Sequence, residues 1–117
     1  MRCVIVDDDE AFLAAARALL EREGLAVAGV ATSSAEAIER VGALQPDVVL
    51  VDIRLGRESG FDAARQLAGK GHAARLIMIS THAGEDYADL IADSPATGFL
   101  PKAELSAAAI RRILGTA

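Results

Sequence analysis

Aromatic residues are scarce in this chain, and long apolar runs, cysteine pairs and clustered positive charge are missing. Aromatics make up 3% of the 117 residues although 52% are hydrophobic, so any core is aliphatic, built from Ala, Leu, Val and Ile. No apolar run approaches the ~20 residues a membrane span needs, and the chain opens directly on a short strand-like run rather than on a signal peptide. One cysteine, Cys3, allows no disulfide framework. It sits inside an apolar run, where it reads as a small buried hydrophobe, and a reducing, cytoplasmic setting fits. The net charge is −5 and no Lys/Arg run appears. Direct nucleic-acid binding needs clustered positive charge and is therefore not expected.

The length suits one domain over residues 1–117. Strand-like runs alternate with helical ones five times. Residues 2–6 read as a strand, and Asp9 and Glu10 open a helix whose apolar face carries Phe12, Ala16, Leu19 and Leu20. Gly24 ends it. A strand over 25–31 leads to a helix capped by Ser33 or Ser34, with Ala37, Val41 and Leu44 at helical spacing, stopped by Pro46. Residues 48–52 form the central strand, followed by a Gly-containing loop over 55–60. A third helix presents Phe61, Ala64, Leu67 and Ala68. A strand over 75–80, a helix over 85–92, a short strand over 97–100 and a helix over 104–114 complete the chain. This alternation predicts parallel βαβ units with right-handed crossovers, a three-layer α/β/α domain around a five-stranded parallel sheet.

The central strand organises the rest. Val48, Val49, Leu50 and Val51 run without a polar break and stop at Asp52. Such a run suits a strand covered on both faces, which delivers its last residue to the carboxyl edge of the sheet, where open α/β folds place their sites. The first strand ends in Asp7, Asp8 and Asp9. If the two strands are parallel neighbours, three or four carboxylates meet. Like charges that close repel and raise their pKa values unless a cation compensates. Oxygen-only ligands select a hard divalent ion such as Mg²⁺.

Two further polar residues end strands, Ser80 after the fourth and Lys102 after the fifth. The full set resembles the receiver domain of two-component response regulators, of the superfamily typified by CheY, over the whole chain. The resemblance rests on the acidic pair Asp7/Asp8, the central Asp52, the hydroxyl of Ser80, Lys102, and the spacing Asp52-(x)7-Gly60. The segment from Phe99 to Ser106 is similar to receivers attached to helix-turn-helix DNA-binding domains. The resemblance implies the strand order 2-1-3-4-5. It implies that Asp52 is a phosphoacceptor served by a sensor histidine kinase, a module that catalyses only its own phosphorylation and dephosphorylation. Asp8 and Asp52 would bind Mg²⁺ through carboxylates, Asp7 through a water and Arg54 through its backbone carbonyl. Lys102 and Ser80 would meet the phosphoryl oxygens. Ser80 and Phe99 would form the switch, reported by a face of the fourth helix, fifth strand and fifth helix that holds Tyr87, Leu90, Arg111 and Arg112 and often mediates dimerisation or partner binding.

Some positions depart from the family pattern. Ala103 follows Lys102 where Pro after a cis peptide is common, Gly56 replaces a common Pro, and Thr81 replaces a smaller residue. Arg54 and His82 occupy positions that tune dephosphorylation in the family. His72 reads as a solvated loop residue. Two rival readings remain: a Mg²⁺-dependent phosphatase with an aspartyl nucleophile, and an interaction module independent of phosphorylation. The first wants Asp-x-Asp followed by Thr, and Ala11 stands where the Thr should be; it also wants a cap domain, for which no segment is left over. The second wants a missing site residue, and none is missing. A flavodoxin-like cofactor binder would need a hydroxyl- and Gly-rich phosphate loop after the first strand, which is absent.

Overall fold

The structure, a computed structural model, describes residues 1–81 and 87–115. Among the described residues, seven strands and five α-helices follow in chain order: β1 (Arg2–Val6), α1 (Glu10–Arg22), β2 (Ala26–Ala31), α2 (Ser34–Leu44), β3 (Val48–Asp52), β4 (Arg54–Leu55), β5 (Glu58–Ser59), α3 (Gly60–Gly69), β6 (Arg75–Ser80), α4 (Ala88–Ala92), β7 (Gly98–Pro101) and α5 (Ala107–Leu114). Five of the strands form one parallel sheet in the order β2-β1-β3-β6-β7, and β4 and β5 pair apart from it as an antiparallel hairpin. Counting only the sheet strands, this is the expected order 2-1-3-4-5.

Burial follows from strand geometry. Successive side chains of a strand point to opposite faces, so each central strand must fill two cores. Ile5, Leu50, Ile77 and Ile79 pack with Leu13, Ala16 and Leu20 of α1 and Ile110 of α5. Val4, Val6, Val49, Val51 and Met78 pack on the other side with Val41 of α2 and Phe61 and Leu67 of α3. Val48 to Val51 are fully excluded from solvent, which explains why this stretch has no polar alternation. Cys3 lies in the first of these cores, where burial pushes its thiol pKa up to about 12, so it is an inert core residue.

Helix starts are set by side chains. Asp9 caps α1, its Oδ1 accepting the Ala11 and Phe12 N–H groups. Ser33 caps α2 through Glu36 N–H, and Glu36 reaches back to the Thr32 N–H and hydroxyl, a capping box displaced by one residue.

Several sequence expectations need correction. Leu13, not foreseen, is among the buried residues of α1, and Ala63 rather than Ala68 is buried on α3, because the sheet meets each helix slightly to one side of the predicted stripe. The last helix begins at Ala107 instead of 104. Ser106 caps it through Ala109 N–H, and residues Lys102–Glu104 form a separate 3₁₀ turn. His72 is half-buried rather than solvated. The loop over 55–60 contains a hairpin. Gly56, the first of its two turn residues, has φ 60°, a value that a two-residue turn with Gly first requires and that Pro cannot adopt. No peptide bond among the described residues is cis, so Lys102–Ala103 is trans. His82 and the start of the predicted fourth helix lie outside the described residues.

Candidate functional site at the carboxyl edge of the sheet

β1 and β3 are adjacent and parallel, with Val6 opposite Val51. Asp7 and Asp52 therefore emerge side by side. Asp7 is completely buried and Asp52 is 7% exposed, while Asp8 faces solvent. One carboxylate oxygen from each of Asp7, Asp8 and Asp52 can be chosen so that all three lie within 4.8 Å of one another.

Lys102 enters this cluster from the end of β7, 50 residues away in sequence from Asp52. Its Nζ lies 2.6 Å from Asp7 Oδ2 and 3.0 Å from Asp52 Oδ2. A third neighbour was not foreseen from the sequence: the Phe12 ring, whose centroid is 4.4 Å from Nζ. An ammonium over a ring face gains electrostatic attraction and loses access to water. Phe12 was expected only as a core residue of α1. A ring that close to a charged strand end has no signature in a one-dimensional pattern.

The remaining oxygens are held by backbone. Asp7 Oδ1 accepts Asp9 N–H at 2.9 Å, and Asp52 Oδ1 accepts Arg54 N–H at 3.1 Å. Gly60 shapes the site from behind. Its N–H donates to Ile53 O at 2.7 Å, and a Cβ at this residue would stand 1.8 Å from the Asp52 carbonyl oxygen. Only glycine lets α3 start this close to the strand end.

These groups line an open cleft of about 310 Å³. Ser80, at the end of β6 and 5% exposed, borders it, as do the backbone-paired Arg54 and the exposed Thr81. Tyr87 also lines it. The sequence had placed Tyr87 on the reporting face alone. Phe99 lies outside the cleft on β7, half-buried against the α2/α3-side core with Tyr87 and Ile91. On the neighbouring surface Leu90 is 54% exposed and Arg112 is exposed.

Electrostatics decide what the cluster can bind. Burial pushes the Asp52 carboxyl above its ordinary value; the Arg54 N–H and Lys102 pull it back, and the Asp7 charge adds to the rise. For Lys102, burial acts to lower the ammonium pKa, but the two carboxylates outweigh it and hold the group above its usual value. Three carboxylates facing one ammonium leave two negative charges uncompensated. Asp7 Oδ2 is buried, and its ion pair with Lys102 is the one contact that offsets its charge among the described residues. An all-oxygen donor set with a charge deficit of two fits a hard divalent cation.

A family profile described as "response regulator receiver domain" matches residues 3–114. The DNA-binding transcriptional activator EvgA of Escherichia coli is 29% identical over 104 residues, covering 89% of this chain and 51% of EvgA. The transcriptional regulatory protein PdtaR of Mycobacterium tuberculosis is 30% identical over 102 residues, covering 86% of this chain and 49% of PdtaR. The chain thus spans about half the length of these curated relatives. Among solved structures, the signal receiver domain of NarL from Mycobacterium tuberculosis superposes with a TM-score of 0.84 at 28% identity, covering 97% of this chain and 93% of that one. A response regulator from Burkholderia pseudomallei, described with a phosphorylated aspartic acid, a calcium ion and citrate, superposes with a TM-score of 0.82 at 26% identity, covering 96% of this chain and 65% of that one.

Proposed function

The chain belongs to the response regulator receiver family of two-component signalling, and from that premise we propose that Asp52 accepts a phosphoryl group from a sensor histidine kinase. Receiver domains are signalling modules rather than conventional enzymes, and residues 1–117 act here as one such module. The observation that carries the reading is the buried Asp52 carboxylate, set 3.0 Å from Lys102 Nζ within an acidic cluster.

In the transfer a carboxylate oxygen of Asp52 attacks phosphorus, and the bond from phosphorus to the donor's imidazole nitrogen breaks as the new P–O bond forms. Asp52 reacts ionised, so it releases no proton, and the departing imidazole takes one from solvent. Lys102 stands where the phosphoryl oxygens arrive and offsets their charge. Ser80 donates its hydroxyl to one of them. Asp8 and Asp52 would hold Mg²⁺ through their carboxylates, with Asp7 acting through a water and Arg54 through its backbone carbonyl. Bound there, the ion would supply charge neutralisation for an incoming dianion that the bare carboxylates would repel. Asp9, the second carboxylate that an aspartyl phosphatase would need, is committed to capping α1. The phosphorylated aspartate of the Burkholderia relative supports the phosphoacceptor reading.

Ser80 moving toward the phosphoryl group vacates volume, and Phe99 turns inward to fill it. A smaller solvent accessibility of Phe99 with a phosphoryl mimic bound checks this; no change removes Phe99 from the switch. The α4–β7–α5 face then pairs with a second copy or an output partner. The transcription regulators among the longer relatives support one such output, control of transcription in the cytoplasm without contact of this domain with nucleic acid or membrane. No helix among the described residues is long and apolar enough to cross a membrane.

Incubation with Mg²⁺ and a small acyl phosphate, followed by intact mass, tests the transfer. One phosphoryl adduct on the wild type and none on Asp52→Asn is the expected result. An adduct on both variants, or on neither, overturns it.

A further inference from the structure

The hairpin that follows the phosphoacceptor is tied down by a side chain the mechanism does not use. Glu58 on β5 accepts two hydrogen bonds from one residue, Ser34: the backbone N–H to Oε1 at 3.0 Å and the hydroxyl to Oε2 at 2.7 Å. Ser34 is the first residue of α2 and is itself 8% exposed, so both donors are rigidly placed. Its hydroxyl and N–H hold the Glu58 carboxyl below the usual glutamate value. A carboxylate at a helix N-terminus is stabilised both by these charge-assisted bonds and by the helix dipole.

The hairpin itself is two residues per strand, too short to persist alone. Leu55 is buried beneath it, but Arg54, Gly56, Arg57, Glu58 and Ser59 are all exposed. Yet three parts of the site hang on it. Arg54 N–H fixes Asp52 Oδ1 at 3.1 Å. The turn at Gly56 leans toward Asp8, its Cβ direction ending 3.8 Å from Asp8 Oδ2. Ser59 caps α3, whose first residue, Gly60, runs so close to the Asp52 carbonyl that a Cβ would not fit.

We propose that Glu58 is a positioning residue of the phosphorylation site: its two-pronged hold on Ser34 sets hairpin β4–β5, and through it the Arg54 backbone and the Asp52 carboxylate. The role rests on the phosphoacceptor reading above. Loss of the hold lets the hairpin open locally while the sheet stays folded. The cation and the phosphoryl group then meet an Asp52 carboxylate with one restraint fewer.

The test compares wild type with Glu58→Ala, Glu58→Gln, Ser34→Pro and the Glu58→Ala/Ser34→Pro double variant. Proline is favoured at the first position of a helix, and Ser33 before it is already extended, at φ −147° and ψ 167°. Ser34→Pro therefore removes both donors while keeping the helix start, and Glu58→Gln keeps the side chain's size should Glu58→Ala fold poorly. The first readout needs no metal: amide hydrogen exchange at Arg54 rises about fivefold in Glu58→Ala, the loss of roughly one hydrogen bond from a local opening. Exchange in the middle of β3 stays as in wild type, which a general loss of stability would not allow. The second is the Mg²⁺ dissociation constant by calorimetry, about fivefold weaker in Glu58→Ala and no weaker still in the double variant, because the two residues act as one unit. Wild-type Arg54 exchange and Mg²⁺ affinity in the Glu58 variants overturn the role of Glu58. A wild type that binds no Mg²⁺ and takes no phosphoryl group overturns the phosphoacceptor reading instead, and with it the role built upon it.

Discussion

Strand β3 has an aspartate at each end, and the two could hardly be placed more differently. Asp47, just before the strand, is exposed, and its carboxylate accepts Arg2 N–H at 2.7 Å. Beside it opens a cavity of about 570 Å³, lined by Met1, Val41, Gln45 and His72. Asp52, closing the strand, is buried with Asp7 and Lys102 at a cleft of about 310 Å³. The larger hollow is at the end without buried charge. What distinguishes the smaller one is electrostatic: carboxylates taken out of water with too little compensation. A site is made by charge held where solvent cannot relax it, and empty volume alone does not make one.

The strongest way to break this contrast is to neutralise each aspartate in turn. Asp52→Asn is expected to abolish the phosphoryl adduct, whereas Asp47→Asn, whose amide oxygen still accepts the Arg2 N–H, keeps it with a stability loss well under ~1 kcal/mol. Intact mass and denaturant unfolding measure the two. An Asp47→Asn protein without an adduct would show that both strand ends serve the chemistry.

Next in size is Gly60. A methyl there collides with the Asp52 carbonyl, so Gly60→Ala is expected to lose about 3 kcal/mol or more in urea unfolding. Gly69→Ala, on the same helix, finds open space and is expected to be neutral or mildly stabilising. Equal effects at the two positions would mean that α3 is free to move away from the site.

Magnesium sharpens the comparison further. At a hundred times its dissociation constant it is expected to stabilise the fold by about 2.7 kcal/mol, a rise on the order of 10 °C in the thermal midpoint. EDTA reverses the rise and Asp8→Asn largely removes it, but Asp47→Asn does not. An unchanged midpoint in wild type would leave the acidic cluster without its ion.

The smallest effect is one of pH. Backbone and hydroxyl hydrogen bonds from Thr32 hold the Glu36 carboxyl below its ordinary 4.5. A folded-state pKa below the unfolded one gives stability that is fully present above 4.5 and is lost as pH falls through the lower, folded value. Glu36→Gln is expected to flatten that acid limb of the thermal midpoint without changing phosphorylation at neutral pH. An acid limb identical to wild type would show that the displaced capping box adds nothing.

Much of the fold was legible because its signals are local. The unbroken Val48–Val51 run announced a two-faced strand, Pro46 and Gly24 marked helix ends, and the polar residues Asp7, Asp52, Ser80 and Lys102 stood where apolar runs stop. In a parallel sheet those stops share one edge, so their meeting at the cleft followed from the strand pattern alone. The hairpin at 54–59 was not legible, since two-residue strands carry no periodicity and Gly56 signals only a turn. The hold of Glu58 on Ser34, spanning 24 residues, was equally silent, because a Glu in a polar loop reads as solvated. Phe12 beside Lys102 looked like any apolar residue of α1.

By itself, then, the order of apolar and polar residues determined an aliphatic α/β sandwich and the edge on which its acidic residues gather, since both depend on periodicities of two and 3.6 that neighbours in sequence carry. Only the packed sheet decided which carboxylate loses its water. Asp7 and Asp8 are adjacent in the chain, yet one is fully buried and the other exposed. Likewise, only the packed sheet brought Lys102 and Phe12 together around the buried pair. Burial and long-range pairing depend on strand register and on how helices seat across the sheet, and those are properties of the assembled layers, not of any single stretch of chain.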